Sequence, residues 1–249
     1  AHSVAPATPR LHGDLVNIRA VKDAEEIDLM CQAQKITDDA FTHICGYIKP
    51  GMTEQEIRAE LENYMLSNGA SALSFGSIIA GGPNGANPHA QPGPRPVQEG
   101  DMIVMDYGCC VADYHSDMTR TVCLGEPSEE QRHVYDVVRR AHEECAAMAR
   151  AGVIGKDVYD HSVKVISDAG YGDYYKHGLG HGVGVEIHEE PNFNRRNLDP
   201  IPAGAVITIE PGIYLPGKFG VRLEDFGVVT EDGYEPFTES THDLVVIPC

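Results

Sequence analysis

The 249-residue sequence contains no tryptophan, and its 19 lysines and arginines face 38 aspartates and glutamates, a net charge of −19. A protein that binds a nucleic-acid backbone needs a concentrated basic face, so this shortage of cations argues against nucleic acid as a partner. It argues equally against an anionic membrane surface. Apolar residues make up 42% of the chain, enough to build a core, which argues against disorder.

Targeting and membrane-spanning signals are also missing. No basic segment followed by an apolar one marks a signal peptide. The longest uncharged stretch, residues 63–94, is interrupted by glycine and proline, so a lipid-exposed helix is not expected there. Seven irregularly spaced cysteines without a C-x-x-C pair favour reduced thiols. We therefore expect a cytoplasmic protein with no membrane partner.

Several common catalytic motifs are absent as well. The chain has no H-E-x-x-H, which removes the common zinc-protease pattern, and no G-x-G-x-x-G or Walker loop for binding phosphates. His177 and His181 lie in a glycine-rich segment, so they do not form a helical zinc-binding pair.

The hydrophobic pattern predicts alternating helical and strand-forming regions. Apolar residues at helical spacing predict a helix from Lys22 to about Tyr47. Capping boxes, Thr53 with Glu56 and Ser128 with Gln131, predict two more, and residues 157–169 form a fourth. Strand character covers residues 72–80, 102–111 and 118–124, and glycine-rich loops and strands follow residue 178.

The succession of elements nearly repeats itself. The segment from Gly51 to Gly69 matches that from Gly152 to Gly170 at an offset of 101, and residues 100–108 match residues 204–212 at an offset of 104. Such self-similarity predicts an α+β protein with two halves, about 22–124 and 128–240, around one curved sheet. We expect residues 1–20 to be a lead-in or linker and residues 21–249 to form a single domain.

The repeat aligns carboxylates that are expensive to bury. Asp106 and Glu210 each end an apolar run, and Asp117 and Glu224 follow them by 11 and 14 residues, after a predicted turn. Four carboxylates around one cavity cannot all ionise without cations, so either protons or metal ions bind. The four positive charges of two divalent ions would balance the negative charges of four carboxylates.

Histidines near these acids narrow the choice of metal. His177, His181 and His188 cluster in one glycine-rich segment. A nitrogen ligand among oxygen ligands suits manganese, cobalt, zinc or iron better than calcium. We expect manganese or cobalt, with zinc or iron as alternatives.

Six motifs in this order resemble those of the pita-bread metallopeptidases, and within them the Xaa-Pro dipeptidase (prolidase) and aminopeptidase P branch. They are Met105-Asp-Tyr-Gly108, Tyr114-His-Ser-Asp-Met-Thr-Arg-Thr121, His177-Gly-Leu-Gly-His181, His188-Glu-Glu-Pro191, Glu210-Pro-Gly-Ile-Tyr214 and Gly220-Val-Arg-Leu-Glu-Asp225. The resemblance covers about residues 18–240. It implies a pita-bread fold, in which helices pack outside a curved, mainly antiparallel sheet.

The resemblance also implies a dinuclear metal site. Its ligands would be Asp106, Asp117, His181, Glu210 and Glu224. Asp117 and Glu224 would bridge both ions, Asp106 would chelate one of them, and His181 with Glu210 would bind the other. A metal-bound hydroxide would then attack the peptide bond before proline.

The same resemblance assigns the remaining roles. Glu210 would shuttle a proton, and His89 and His188 would hold the substrate carbonyl and the developing oxyanion. His177 would shape the proline-side pocket. Arg222 is placed by strand geometry instead: two residues before Glu224, it would share a strand face with that ligand and either orient a bridging carboxylate or meet a substrate carboxylate. Tyr214 would help to close the pocket, or else pack behind it.

Several alternatives stay open at this point. A methionine aminopeptidase shares the fold and the ligands, while a non-catalytic pita-bread binding module or a creatinase-like amidinohydrolase is less favoured because all five ligands are present. The branch usually carries an N-terminal domain, so the short lead-in suggests an isolated catalytic domain. The choice between dipeptides and longer peptides, and the oligomeric state, with a homodimer as one option, are not determined by the sequence.

Overall fold

A computed structural model describes residues 18–249 of the chain, so most of the predicted lead-in lies outside the described residues. The long helices are α1 Ala24–Tyr47, α2 Glu54–Ser67, α3 Glu129–Met148 and α4 Gly155–Asp168. Both predicted capping boxes are present, and a third, formed by Asp23 and Glu26, starts α1. Within the described range, no helix is long and apolar enough to cross a bilayer.

The strands are short and mostly antiparallel. They are β1 Ala72–Leu73, β2 Ile78–Gly81, β3 Met102–Tyr107, β4 Cys109–Val111, β5 Tyr114–His115, β6 Met118–Leu124, β7 Gly180–Gly182, β8 Glu189–Phe193, β9 Val206–Ile209, β10 Gly212–Leu215, β11 Phe219–Arg222, β12 Asp225–Val229, β13 Tyr234–Pro236 and β14 Val246–Ile247. Two larger sheets have the orders β14-β6-β3-β2 and β13-β12-β9-β7-β8, and β1-β4-β5 and β10-β11 pair separately. Only the pairing of β14 with β6 is parallel among the described strands.

Two predicted strands are interrupted in the structure. The run 72–80 divides into β1 and β2, because Ser74 leaves the strand and its hydroxyl donates to the carbonyls of Cys109 and Ser116. The run 102–111 divides at Gly108, where the backbone of Ser116 approaches so closely that a Cβ would lie 2.0 Å from its oxygen. Both breaks depend on tertiary contacts with Ser116.

The internal repeat is visible in backbone hydrogen bonds at matched positions. Gly51 N donates to Val97 O and Gly152 N donates to Ile201 O, both over 2.9 Å. The repeated glycines share a left-handed backbone, with φ between 81° and 113° at Gly51, Gly69, Gly100, Gly152, Gly170 and Gly204. A residue with a Cβ is strained in this conformation, which explains why glycine recurs there.

Each helix pair also contains one contact between a histidine and a glutamate, but the two residue types change places between the pairs. His43 Nε2 on α1 lies 2.7 Å from Glu60 Oε1 on α2, and His161 Nε2 on α4 lies 2.7 Å from Glu144 Oε2 on α3. Both residues of the second pair follow those of the first by 101 positions, the offset of the sequence repeat. These contacts support two similarly built halves.

The two larger sheets meet where β6 runs beside the segment that joins β11 to β12. Thr119 and Glu224 form an isolated antiparallel bridge, and Glu224 N donates to Thr119 O over 3.0 Å. The Thr121 hydroxyl donates to Arg222 O and accepts from Arg222 N. We call this contact the seam. It brings Asp117, the residue before β6, next to Glu224.

Candidate metal centre

The five residues predicted as ligands line one cavity of about 290 Å³ at the seam. Asp106 lies on β3, Asp117 precedes β6, His181 lies on β7, Glu210 follows β9, and Glu224 separates β11 from β12. Both larger sheets therefore contribute donors. Other side chains predicted for the site line the same cavity, namely His89, His177, His188 and Arg222.

The donor atoms are close enough to share a cation. One atom from each of Asp117, His181 and Glu224 lies within 4.8 Å of the others. His181 Nε2 is 3.5 Å from Asp117 Oδ2 and 3.6 Å from Glu210 Oε1. His181 Nδ1 is 3.0 Å from Gly182 O, to which it can donate, and this leaves the Nε2 lone pair facing the acids.

The carboxylates of this site are difficult to ionise without cations. Burial, reinforced by repulsion from neighbouring acids, raises the pKa of Asp117 and of Glu224 well above the usual range. Burial also raises the pKa of Glu210 to about 8. Burial raises the pKa of Asp106, although the nearby guanidinium of Arg222 opposes that shift. This donor set of one imidazole nitrogen and several carboxylates fits first-row divalent ions.

Arg222 connects the site to the structure around it. Its Nη2 donates to Asp106, its Nε donates to Thr119 Oγ1 over 3.0 Å, and its Nη1 donates to Tyr214 Oη over 2.8 Å and to Pro88 O over 3.2 Å. This geometry supports an orienting role, but on Asp106 rather than on a predicted bridging acid. Most of its N–H groups are already engaged.

Tyr214 lies behind the cavity wall. Its hydroxyl accepts from Arg222 and lies 2.8 Å from His177 Nε2, to which it can donate, while His177 Nδ1 lies 2.8 Å from Gly178 O. Both ring nitrogens of His177 are thus engaged with the protein. This arrangement supports a shaping role for His177 and a packing role for Tyr214.

His89 and His188 stand at the open side of the cavity. Both residues are exposed, and neither imidazole makes a hydrogen bond within residues 18–249. The His188 ring lies edge-on to His181, with 4.4 Å between the ring centroids. Their ring nitrogens are therefore available to a ligand in the cavity.

Sequence reasoning missed Thr119 and the apolar wall. The Thr119 hydroxyl donates to Glu224 Oε2 over 2.7 Å and accepts from Arg222 Nε, so it orients one acid and one base. Its position two residues after Asp117 on a strand places both side chains on one face, a signal that could have identified it. Phe75, Ile78 and Pro88 complete the wall, and no local pattern marks them.

A second group of possible donors lies behind Glu224. Asp225 Oδ2 is 2.7 Å from His242 Nε2 and 3.5 Å from His142 Nε2, while Asp225 Oδ1 accepts from Arg120 over 2.7 Å. Arg120 also donates to Glu224 O over 2.7 Å. This group therefore supports the backbone of a predicted ligand from the side away from the cavity.

Comparison with known proteins places the chain in a family. Residues 28–231 match the profile of Metallopeptidase family M24. An uncharacterised peptidase of Bacillus subtilis, YqhT, is 40% identical over 230 residues, covering 92% of this chain and 65% of the relative. The Xaa-Pro dipeptidase of Pyrococcus furiosus is 38% identical over 229 residues, covering 92% of this chain and 66% of the relative.

Solved structures agree with the sequence relatives. The crystal structure of an X-Pro aminopeptidase from Thermotoga maritima superposes with a TM-score of 0.93 at 41% identity, covering 94% of this chain and 67% of that one. The chain spans slightly less than two thirds of the curated relatives. The α+β pita-bread architecture predicted from the motifs is confirmed. The chain belongs to metallopeptidase family M24.

Proposed function

We propose that this chain hydrolyses the peptide bond before proline, as an Xaa-Pro dipeptidase or an Xaa-Pro aminopeptidase. The observation that carries the proposal is the convergence in one cavity of five side chains that can act as metal ligands. It is supported by relatives that are named Xaa-Pro dipeptidase or X-Pro aminopeptidase. The substrate would be a small peptide with proline after the scissile bond.

The residues that would hold two divalent ions are Asp106, Asp117, His181, Glu210 and Glu224. When bound, such ions polarise a carbonyl group and lower the pKa of a water molecule. We propose manganese or cobalt, because the mixed nitrogen and oxygen donors suit first-row ions, with zinc or iron as alternatives.

The protein side chains would perform the proton transfers and orient the peptide. Glu210 lines the cavity, with its Oε1 3.6 Å from His181 Nε2, so we assign to its carboxylate the proton transfer from the attacking water to the leaving proline nitrogen. His89 and His188 would donate hydrogen bonds to the scissile carbonyl as negative charge develops there. His177, held by Tyr214, would form one wall for the proline ring together with Phe75 and Ile78.

A panel of peptides tests the proposal. Ala-Pro, Ala-Pro-Ala and a methionine-initiated peptide without proline would be incubated with the protein after loading with manganese or cobalt. Cleavage of Ala-Pro alone supports the dipeptidase, and release of alanine from Ala-Pro-Ala supports the aminopeptidase. Release of methionine instead would favour a methionine aminopeptidase. Bound metal with no cleavage of any peptide would favour a non-catalytic module.

Two further proposals concern the cellular compartment and the oligomeric state. None of the seven cysteines forms a disulfide, and all of them lie within the described residues, which supports a reducing compartment such as the cytoplasm. The homodimer stays a prediction, and light scattering on the purified protein tests it.

A further inference from the structure

Glu54 is a buried acid outside the metal centre. It is the first residue of α2 and is 1% exposed. A buried carboxylate is costly unless strong donors surround it. Among the described residues, Glu54 has no basic group within 4 Å, and three N–H donors hold it instead. Gly81 N donates to Oε1 over 2.7 Å, while Gly93 N and Asn84 Nδ2 donate to Oε2 over 2.7 and 2.8 Å.

The three donors belong to one segment of chain, residues 81–93, which we call the His89 loop. Gly81 ends β2 and opens the loop, Asn84 lies in its short 3-10 helix, and Gly93 closes it. One carboxylate therefore binds both ends of the loop. Between these ends, Pro88 and His89 line the metal-site cavity, and Pro88 O accepts from Arg222.

The composition of the loop explains why it needs such an anchor. Its thirteen residues, G-G-P-N-G-A-N-P-H-A-Q-P-G, include four glycines and three prolines and few side chains that can pack into a core. Hydrogen bonds must then fix its position. Charge-assisted hydrogen bonds from backbone N–H groups to a carboxylate are shorter and stronger than neutral ones.

Helix capping does not account for Glu54. The Thr53 hydroxyl already accepts from Glu56 N, and the Glu56 carboxylate accepts from Thr53 N over 2.8 Å, which completes the capping box of α2. The Glu54 side chain takes no part in that box and points to the loop instead. The helix start is satisfied without it.

We propose that Glu54 is a positioning residue for the reaction: by holding both ends of the His89 loop, its carboxylate sets the place of the His89 imidazole over the metal centre. The inference rests on the proposed peptidase function. A catalytic group displaced by about 1 Å loses on the order of 100-fold in rate, so an anchor of this kind matters even though it touches no substrate.

The substitution Glu54→Gln tests the proposal, with Glu56→Gln as its matched control. Both variants exchange a carboxylate for an amide in the same helical turn, but only Glu54 contacts the loop. An amide offers one acceptor oxygen and turns its NH2 toward an N–H donor, so part of the anchor is lost. We expect Glu54→Gln to keep its metal content and to lose about 10- to 100-fold in kcat with a smaller change in KM. Glu56→Gln should keep kcat within about twofold and lower Tm only slightly, because glutamine can also complete the capping box.

A double substitution separates positioning from general damage. If Glu54 acts through His89, Glu54→Gln should cost less than about threefold in a His89→Ala background. An equal loss of kcat in both backgrounds, or a parallel loss of metal, would contradict the proposal. Asn84→Ala removes one donor from the loop side and leaves α2 intact. It should lower kcat in the same direction, and it serves if Glu54→Gln does not fold.

Amide hydrogen exchange tests the anchor without any activity. The Gly81 and Gly93 amide hydrogens should exchange faster in Glu54→Gln than in the wild-type protein. Their exchange rates in Glu56→Gln should equal those of the wild type. Unchanged exchange in both variants would refute the anchor. If the wild-type protein cleaved no Xaa-Pro peptide, the proposed function would fail, while this measurement would still decide whether Glu54 holds the loop.

Discussion

Burial sets the charge of the single side chains at the metal centre. Asp117 and Glu224 are 3% and 2% exposed, and their raised pKa values favour the neutral acids when no cation is present. Burial has the opposite effect on the histidine of the site: it lowers the pKa of His181 to about 4 and so keeps the imidazole neutral. A neutral imidazole and acids that ionise only beside a cation are the donors that a divalent metal requires.

Replacing Asp117 by Asn should remove metal binding at this centre. An amide cannot bridge two cations as a carboxylate does, so we expect at least about a 100-fold loss of metal affinity and loss of hydrolysis. Metal analysis after dialysis measures the effect. Asp113→Asn is the control, because Asp113 is exposed on the turn before β5, at φ 69°, which asparagine adopts readily. Full metal content in Asp117→Asn would contradict the assigned site.

The group behind Glu224 should make stability depend on pH. Burial lowers the pKa of His142 to about 4, although Asp225 opposes the shift, and neither ring nitrogen of His142 makes a hydrogen bond in residues 18–249. As pH falls below about 6.5, the unfolded chain binds a proton that the folded protein refuses. Stability should therefore fall between pH 6.5 and 4, by at most about 1.4 kcal/mol per pH unit for this group.

The variant His142→Gln isolates this contribution. Urea unfolding of metal-loaded protein at pH 7.5, 6 and 5 should show a shallower loss of stability in the variant than in the wild type. His133→Gln, an exposed position on the same helix, should behave as the wild type. Identical pH profiles for wild type and His142→Gln would show that the buried imidazole does not cause the dependence.

The sequence predicted these residues to different extents. Nine of the ten residues assigned to the site line the cavity, because the aligned carboxylates, the histidines of the glycine-rich segment and the family resemblance marked them. Thr119 and Glu54 were missed because their contacts are distant in sequence. Thr119 contacts a residue 105 positions away, and the loop residues that Glu54 contacts are at least 27 positions away. A threonine in a strand and a glutamate at a helix start each have an ordinary local explanation.

At the scale of elements, the helices were predictable and the strand limits were not. Helix periodicity and capping boxes are local signals, and α2 begins one residue after its predicted cap. The strand breaks near Ser74 and at Gly108 depend on contacts with Ser116, and no local sequence pattern predicts these contacts. The glycines of the repeat were informative because their positive φ is a local requirement.

One close contact between elements should be intolerant of any side chain. A Cβ on Gly220 of β11 would lie 1.9 Å from Gly85 O, in the 3-10 helix of the His89 loop. Gly220→Ala should therefore push apart the strand that carries Arg222 and the loop that carries His89. We expect a loss of about 3 kcal/mol in stability and of most activity, measured by thermal unfolding and peptide hydrolysis.

Gly46→Ala is the matched control for this substitution. Gly46 lies in α1, and a Cβ there meets no atom within 4 Å. Alanine favours a helix by up to about 1 kcal/mol over glycine, so this variant should be as stable as the wild type or more stable. A Gly220→Ala protein as stable as Gly46→Ala would show that the contact can relax.

At the scale of the whole molecule, metal binding should be coupled to proton release. In the metal-free protein the pKa of Glu210 is about 8, so Glu210 holds a proton at pH 7, and the raised pKa values of Asp117 and Glu224 favour bound protons there as well. A cation must displace them, so its affinity should rise with pH up to about 8. Titration calorimetry in two buffers of different ionisation enthalpy measures the released protons. Equal affinity at pH 6 and pH 8 would contradict this coupling.

The same acids should reverse the pH dependence of stability when the metal is removed. An acid whose pKa is raised on folding contributes its full stability below the pKa of the unfolded chain, and that contribution is lost as pH rises from the unfolded pKa to the folded pKa. The metal-free protein should therefore become less stable from about pH 5 to pH 8, while the loaded protein should not lose stability as pH rises over that range. Thermal unfolding with and without a chelator measures the difference.

The seam has a consequence for the order in which the protein is made. Asp106 and Asp117 leave the ribosome before Arg222 and Glu224, which complete their surroundings and follow more than a hundred residues later. Until then a nascent chain presents two acids without the imidazole and carboxylates that we propose as the other ligands. Metal loading at the proposed centre should therefore wait until Glu224 has been synthesised and has paired with Thr119.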